Sequence, residues 1–118
     1  MKVLIADDNE DQLQLRGLLL RQNGLETIAA ADAKSALQLA ADHQPKCAVI
    51  DLRLPTEELG LRLIRQLKAL DKSIHLFVLT GADPSRLAHY PERDLVDEVV
   101  AKGSSSAYLI KKLKALAA

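Results

Sequence analysis

A chain of 118 residues and 12.9 kDa suits one domain, because two cores would each be too small to bury enough apolar surface. Sixteen Lys+Arg balance sixteen Asp+Glu, so no global charge exists to hold nucleic acid or an anionic membrane, and no apolar run reaches the roughly 18–20 residues of a bilayer span. One cysteine excludes an intrachain disulfide and a Cys-based zinc site, and with no signal-like segment ahead of Val3 the chain reads as a cytoplasmic domain over 1–118.

The first strand is predicted at 3–6, and four acids follow between Asp7 and Asp11. A helix comes next, with Leu15, Leu18 and Leu19 at i, i+3, i+4 and Gly24 placed to end it. The second strand is read at 27–30. Asp32 caps a second helix striped by Ala36, Leu37, Ala40 and Ala41 and closed before Pro45. The third strand, 47–50, precedes a helix striped by Leu63, Leu67 and Leu70, and the fourth strand is 76–79. Asp83-Pro84 has the form of a cap and first turn, but Pro91 interrupts any helix within two turns, so the fourth helix should be short or broken. After a fifth strand at 99–101, Ser104–Ser106 open a last helix striped by Leu109, Leu113 and Leu116, with lysines in its final turns.

The apolar runs are too short for helices and mostly rich in β-branched residues, which predicts strands buried on both faces. Twenty-three Leu and seventeen Ala favour helices packed on that sheet; Phe77, Tyr90 and Tyr108 are the only aromatics, leaving little for base stacking. Alternation of strand and helix predicts an α/β fold, a parallel sheet with right-handed crossovers and helices on both faces. Ligands in such sheets bind beyond the carboxyl ends of the strands. The residues at those ends are Asp7 and Asp8, Asp51, Thr80 and Lys102.

Three crowded carboxylates repel one another unless a cation or proton intervenes, and Mg²⁺ suits an all-oxygen donor set. Lys102 and Thr80 are hydrogen-bond donors, unneeded for metal storage but suited to surrounding a phosphoryl group. Asp51 would then be the nucleophile that becomes an aspartyl-phosphate. The pattern predicts a site that accepts a phosphoryl group.

Four segments carry a resemblance over nearly the whole chain: Val3-Leu4-Ile5-Ala6-Asp7-Asp8, Val49-Ile50-Asp51-Leu52-Arg53-Leu54-Pro55, Val78-Leu79-Thr80-Gly81 and Val99-Val100-Ala101-Lys102. In this order and spacing the chain resembles the receiver domain of two-component response regulators. The resemblance implies the doubly wound five-stranded parallel sheet in order 2-1-3-4-5. It implies that Asp51 is the phosphoacceptor, taking its group from the phosphohistidine of a sensor histidine kinase or phosphotransfer protein, with no catalytic residue beyond it and no enzyme activity of its own. Asp8 would be the direct acidic ligand of Mg²⁺, with Asp7 acting through a water, Asp51 completing the carboxylates and Arg53 offering its backbone carbonyl. Thr80 and Lys102 would bind the phosphoryl oxygens. The family's threonine movement repacks the surface around its fourth helix, fifth strand and fifth helix for a downstream effector domain or protein; homodimer formation stays open, and neither nucleic acid nor membrane is a direct partner.

Several positions depart from the family pattern. Val99, at the switch position three residues before Lys102, replaces the usual Tyr or Phe, so a coupled aromatic flip is not expected there. Gly103 replaces a proline that is normally cis, which predicts a trans or looser loop after Lys102. Leu59 stands where the family has glycine and Gly60 follows, so the Thr56–Leu59 stretch reads as one residue longer, with Glu57 and Glu58 as added carboxylates. Arg53 and Ala82 flank the site and are expected to alter the lifetime of the phosphorylated state.

Taken singly, Asp7-Asp8 suits a helix start, Thr80-Gly81 a turn and Lys102 a solvated charge. Cys47 reads as core, the three histidines show no metal spacing, and Lys111, Lys112 and Lys114 read as a solvated face. An aspartyl-phosphate phosphatase would want an acid where Arg53 stands, a nucleotide-binding module a Gly-rich phosphate loop, and a flavin module more aromatics. The alternative function is a degenerate receiver that binds partners without phosphorylation.

Overall fold

A computed structural model describes residues 1–81, 84–102 and 106–117. Its elements are β1 (Lys2–Ala6), α1 (Glu10–Gln22), β2 (Glu26–Ala30), α2 (Ala33–His43), β3 (Cys47–Asp51), α3 (Glu57–Leu70), β4 (His75–Thr80), two 3₁₀ segments (Pro84–His89 and Pro91–Leu95), β5 (Glu98–Ala101) and α4 (Ser106–Ala117). The strands form one parallel sheet in the order β2-β1-β3-β4-β5, as expected. β1 pairs with β2 on one side and β3 on the other, which puts the switch point, where such sheets bind ligands, at the carboxyl ends of β1 and β3.

Alternate residues of each strand serve opposite faces. Val3, Ile5, Cys47, Val49, Phe77 and Leu79 pack with Leu13 and Leu20 of α1 and Leu109 and Leu113 of α4. Leu4, Ala6, Ala48, Ile50, Leu76 and Val78 pack with Ala36 and Ala40 of α2 and Leu63, Ile64 and Leu67 of α3. Burial on both faces holds for the three central strands only: β2 leaves Glu26 and Ala29 exposed, and in β5 only Val100 is buried. Those two are the edges of the sheet, where one side has no neighbouring strand.

Three helix stripes differ from the sequence reading; in α2, Ala36 and Ala40 are buried as expected but Ala41 is exposed. In α1 the seam is Leu13, Gly17 and Leu20, whereas Leu15 and Leu18 are exposed. The spacing i, i+4, i+7 is the same helical period rotated by one position. Gly17 hid the true seam, since a side chain there would already touch Ile5 at 3.4 Å. In α3 the buried face is Gly60, Leu61, Leu63, Ile64 and Leu67, and Leu70 is exposed in the last turn.

Helix ends follow the local chemistry. Asp32 accepts the Ser35 N–H at 2.7 Å as expected, and Asn9 and Thr56 cap α1 and α3 in the same way. Gly24, at φ +81, closes α1: Leu25 N–H donates to Leu20 and Gly24 N–H to Arg21, the paired bonds of a Schellman motif. No α-helix forms between β4 and β5 among the described residues. The two 3₁₀ segments take its place, and buried Glu92 in the second is paired with Arg65 of α3 at 3.2 Å. The cap expected at Asp83, and Ser104 and Ser105 at the opening of α4, lie outside the described residues. Cys47 is fully buried, and burial pushes its thiol pKa up to about 11, consistent with a core role. No helix among the described residues is long and apolar enough to cross a membrane.

Candidate functional site

Parallel strands deliver all their carboxyl ends to one edge of the sheet. Asp7 and Asp8 leave β1 there, Asp51 and Thr80 are the last residues of β3 and β4, and Lys102 follows β5. Asp51 and Thr80 lie within the strands rather than after them, pairing with Leu79 and Ala101, because backbone pairing is indifferent to where the apolar run stops. Four polar or charged residues are buried among those described: Asp7, Asp51, Thr80 and Glu92. Arg65 accounts for Glu92; the other three lie at this edge, where burying carboxylates costs several kcal/mol that packing alone does not require.

Each carboxylate is held by specific donors. Lys102 Nζ lies 2.6 Å from Asp51 Oδ2, and the Arg53 N–H donates to Asp51 Oδ1 at 3.1 Å. Lys102 is itself tied to β4, its N–H donating to the Thr80 carbonyl at 2.9 Å. Asp7 Oδ1 accepts the Asn9 N–H at 2.9 Å and Asp7 Oδ2 faces Arg16 Nη1 at 3.2 Å. Burial is the largest influence on the Asp51 carboxyl and raises its pKa; Lys102 and the Arg53 N–H draw it back, Asp7 raises it again, and the net shift is upward.

Asp7, Asp8 and Asp51 each bring an oxygen within 4.8 Å of the others. Oxygen donors at that spacing, with Asp8 exposed to solvent, fit a hard divalent ion that keeps part of its water shell. Beside them a cavity of about 330 Å³ is lined by Asp51, Arg53, Glu57, Thr80, Gly81 and Lys102. A buried carboxylate, a cation and a hydroxyl residue thus border a space able to hold a small anionic group, next to a carboxylate cluster able to hold a metal.

The family model of the response regulator receiver domain matches residues 3–114. The chain belongs to that family. The receiver is 36% identical over 83 residues to the virulence transcriptional regulatory protein PhoP of Salmonella typhimurium, covering 70% of this chain and 37% of PhoP. It thus spans well under half the length of that curated relative. Among solved structures, a CheY-like receiver domain protein from Methanospirillum hungatei JF-1 superposes with a TM-score of 0.87 at 22% identity, over 98% of this chain and 91% of that one. A response regulator protein from Burkholderia pseudomallei, solved with a phosphorylated aspartic acid, calcium ion and citrate, gives a TM-score of 0.82 at 26% identity over 99% of this chain and 72% of that one.

The receiver brings together all the strand-end residues that the sequence singled out, and adds two that it did not weight, Arg16 and Tyr90. Arg16 carries no motif, and only the helical geometry of α1 lays it against Asp7. Of the two acids expected near the site, Glu57 lines the cavity and Glu58 is not among its lining residues. Tyr90, at the junction of the 3₁₀ segments, donates its hydroxyl to Glu57. Val99 is half-buried and packs on the same core face as Tyr90. An aromatic therefore stands near this side of the site, though not on β5. Ala82 and Gly103 lie outside the described residues.

Proposed function

We propose that residues 1–118 act as one phosphoacceptor domain, with Asp51 taking a phosphoryl group from the phosphohistidine of a sensor kinase or phosphotransfer protein. The observation that carries this is Asp51 itself: a buried carboxylate with an ammonium at 2.6 Å on one oxygen and two further carboxylates beside it. An Asp51 Oδ atom attacks phosphorus, the P–N bond breaks, and the imidazole nitrogen leaves with the bonding pair. Lys102 and Thr80 balance charge on the phosphoryl oxygens, and the Arg53 N–H keeps the carboxylate turned toward the cavity. Asp7, Asp8, Asp51 and the Arg53 carbonyl would hold Mg²⁺, which supplies charge neutralisation between nucleophile and phosphoryl oxygens. The phosphorylated aspartate of the Burkholderia protein supports the same reading here. The output would be a change in surface presented to an effector domain or protein in the cytoplasm.

Incubation with Mg²⁺ and a small phosphodonor, followed by intact-mass measurement, tests this directly. Wild type should gain the mass of one phosphoryl group and Asp51→Asn should not. An unmodified wild type would instead favour a phosphorylation-independent interaction module. A second measurement concerns Arg53, whose exposed side chain borders the cavity. Replacing it with Asn opens a path for attacking water, so the phosphorylated state should hydrolyse at least about threefold faster. An unchanged lifetime removes Arg53 from that role.

A further inference from the structure

Asp7 is the most deeply buried acid of the site, and both its oxygens already have donors. Asn9 supplies a neutral N–H, while Arg16 supplies a full charge from the second turn of α1. The Arg16 side chain is only 16% exposed. It reaches inward beside Leu79, Val100 and Lys102, a position where the α1 seam would otherwise take an apolar residue. A guanidinium is seldom buried without a partner that needs it. With Lys102 on Asp51, the three carboxylates meet two fixed cations of the chain.

We propose that Arg16 is a positioning residue that serves as a built-in counter-cation for Asp7, holding the acidic cluster together without a divalent ion and weakening Mg²⁺ binding by its charge. This rests on reading Asp7, Asp8 and Asp51 as the metal site. A fixed positive charge bonded to one of three ligand carboxylates lowers the negative potential that attracts the metal. It also removes repulsion that would otherwise strain the metal-free domain.

Two variants separate charge from shape. Arg16→Gln keeps a donor for Asp7 but removes the charge; Arg16→Lys keeps the charge in a different form. Mg²⁺ titration followed by backbone amide NMR shifts should give a dissociation constant about fivefold lower for Arg16→Gln, and within twofold of wild type for Arg16→Lys. Thermal unfolding supplies a second reading. Arg16→Gln should melt below wild type without metal, and saturating Mg²⁺ should close the gap, because the ion replaces the missing cation. If Arg16→Gln is unfolded without metal, Mg²⁺ should restore its folded spectrum. Equal or weaker Mg²⁺ affinity in Arg16→Gln, or a melting deficit that Mg²⁺ leaves untouched, would overturn the proposal and leave Arg16 a packing residue. Failure of wild type to bind Mg²⁺ at all would overturn the metal reading, and this inference with it.

Discussion

Gly60→Ala should lower the midpoint of thermal unfolding by about 10 °C, corresponding to roughly 3 kcal/mol. A Cβ at this position would lie 1.7 Å from the Leu52 carbonyl oxygen and 2.7 Å from its carbonyl carbon. Both are backbone atoms, so no rotamer change relieves the clash; α3 or the end of β3 has to move. Alanine's helix propensity favours the substitution by only about 0.5–1 kcal/mol, too little to offset that displacement. The damage reaches function because Leu52 follows Asp51 and its N–H is bonded to Leu79 at 2.9 Å. Phosphorylation with a small phosphodonor should therefore slow even at temperatures where the variant is folded. A variant that melts with wild type and labels at the wild-type rate would show that the close approach is unnecessary.

Lys102→Met should reduce phosphorylation of Asp51 by about 10²–10³-fold, the range found when a preorganised charge-stabilising donor is removed. Its second consequence is a change in pH dependence. The Asp51 carboxyl in the fold titrates above its ordinary value, chiefly through burial. Its contribution to stability is thus fully present below the unfolded carboxyl pKa and lost as pH rises through the raised folded value. Lys102 lowers the folded value by hydrogen bonding and by charge. Without it the folded value climbs further, so Lys102→Met should lose more stability than wild type as pH rises from the ordinary carboxyl range toward neutrality in metal-free buffer. Melting curves across that range measure the difference, and Asp51→Asn should flatten it. Parallel profiles for wild type and Lys102→Met would show that the ammonium contributes nothing to the carboxylate in the folded state.

The strand-end residues could be read from the chain because two local signals coincide at each. An apolar run marks a strand, and a polar residue at the end of that run is not called for by packing. Asp7, Asp8, Asp51, Thr80 and Lys102 all satisfy that test, and all meet at one edge of the sheet. Leu15 and Leu18 failed for the opposite reason. Leucine at helical spacing marks a seam only if the helix is rotated toward the sheet, and Gly17, invisible to an apolar count, lies at the centre of the real one. Gly60 shows the same limit: its departure from the family position was visible in the sequence, but the Leu52 carbonyl that demands a glycine was not.

By itself the sequence determined the fold class, the alternation that makes the sheet parallel, and the identity of the groups at its carboxyl edge. Periodicity and residue type along the chain are sufficient for that, since each element is local. Only the tertiary structure decided which groups touch: Arg16 on Asp7, Glu57 at the cavity wall with Tyr90 bonded to it, and Lys102 on Asp51. Those pairings join residues 9, 33 and 51 positions apart. Their reach depends on helix rotation and on how closely α3 approaches β3, quantities set by packing across the sheet and carried by no single stretch of sequence.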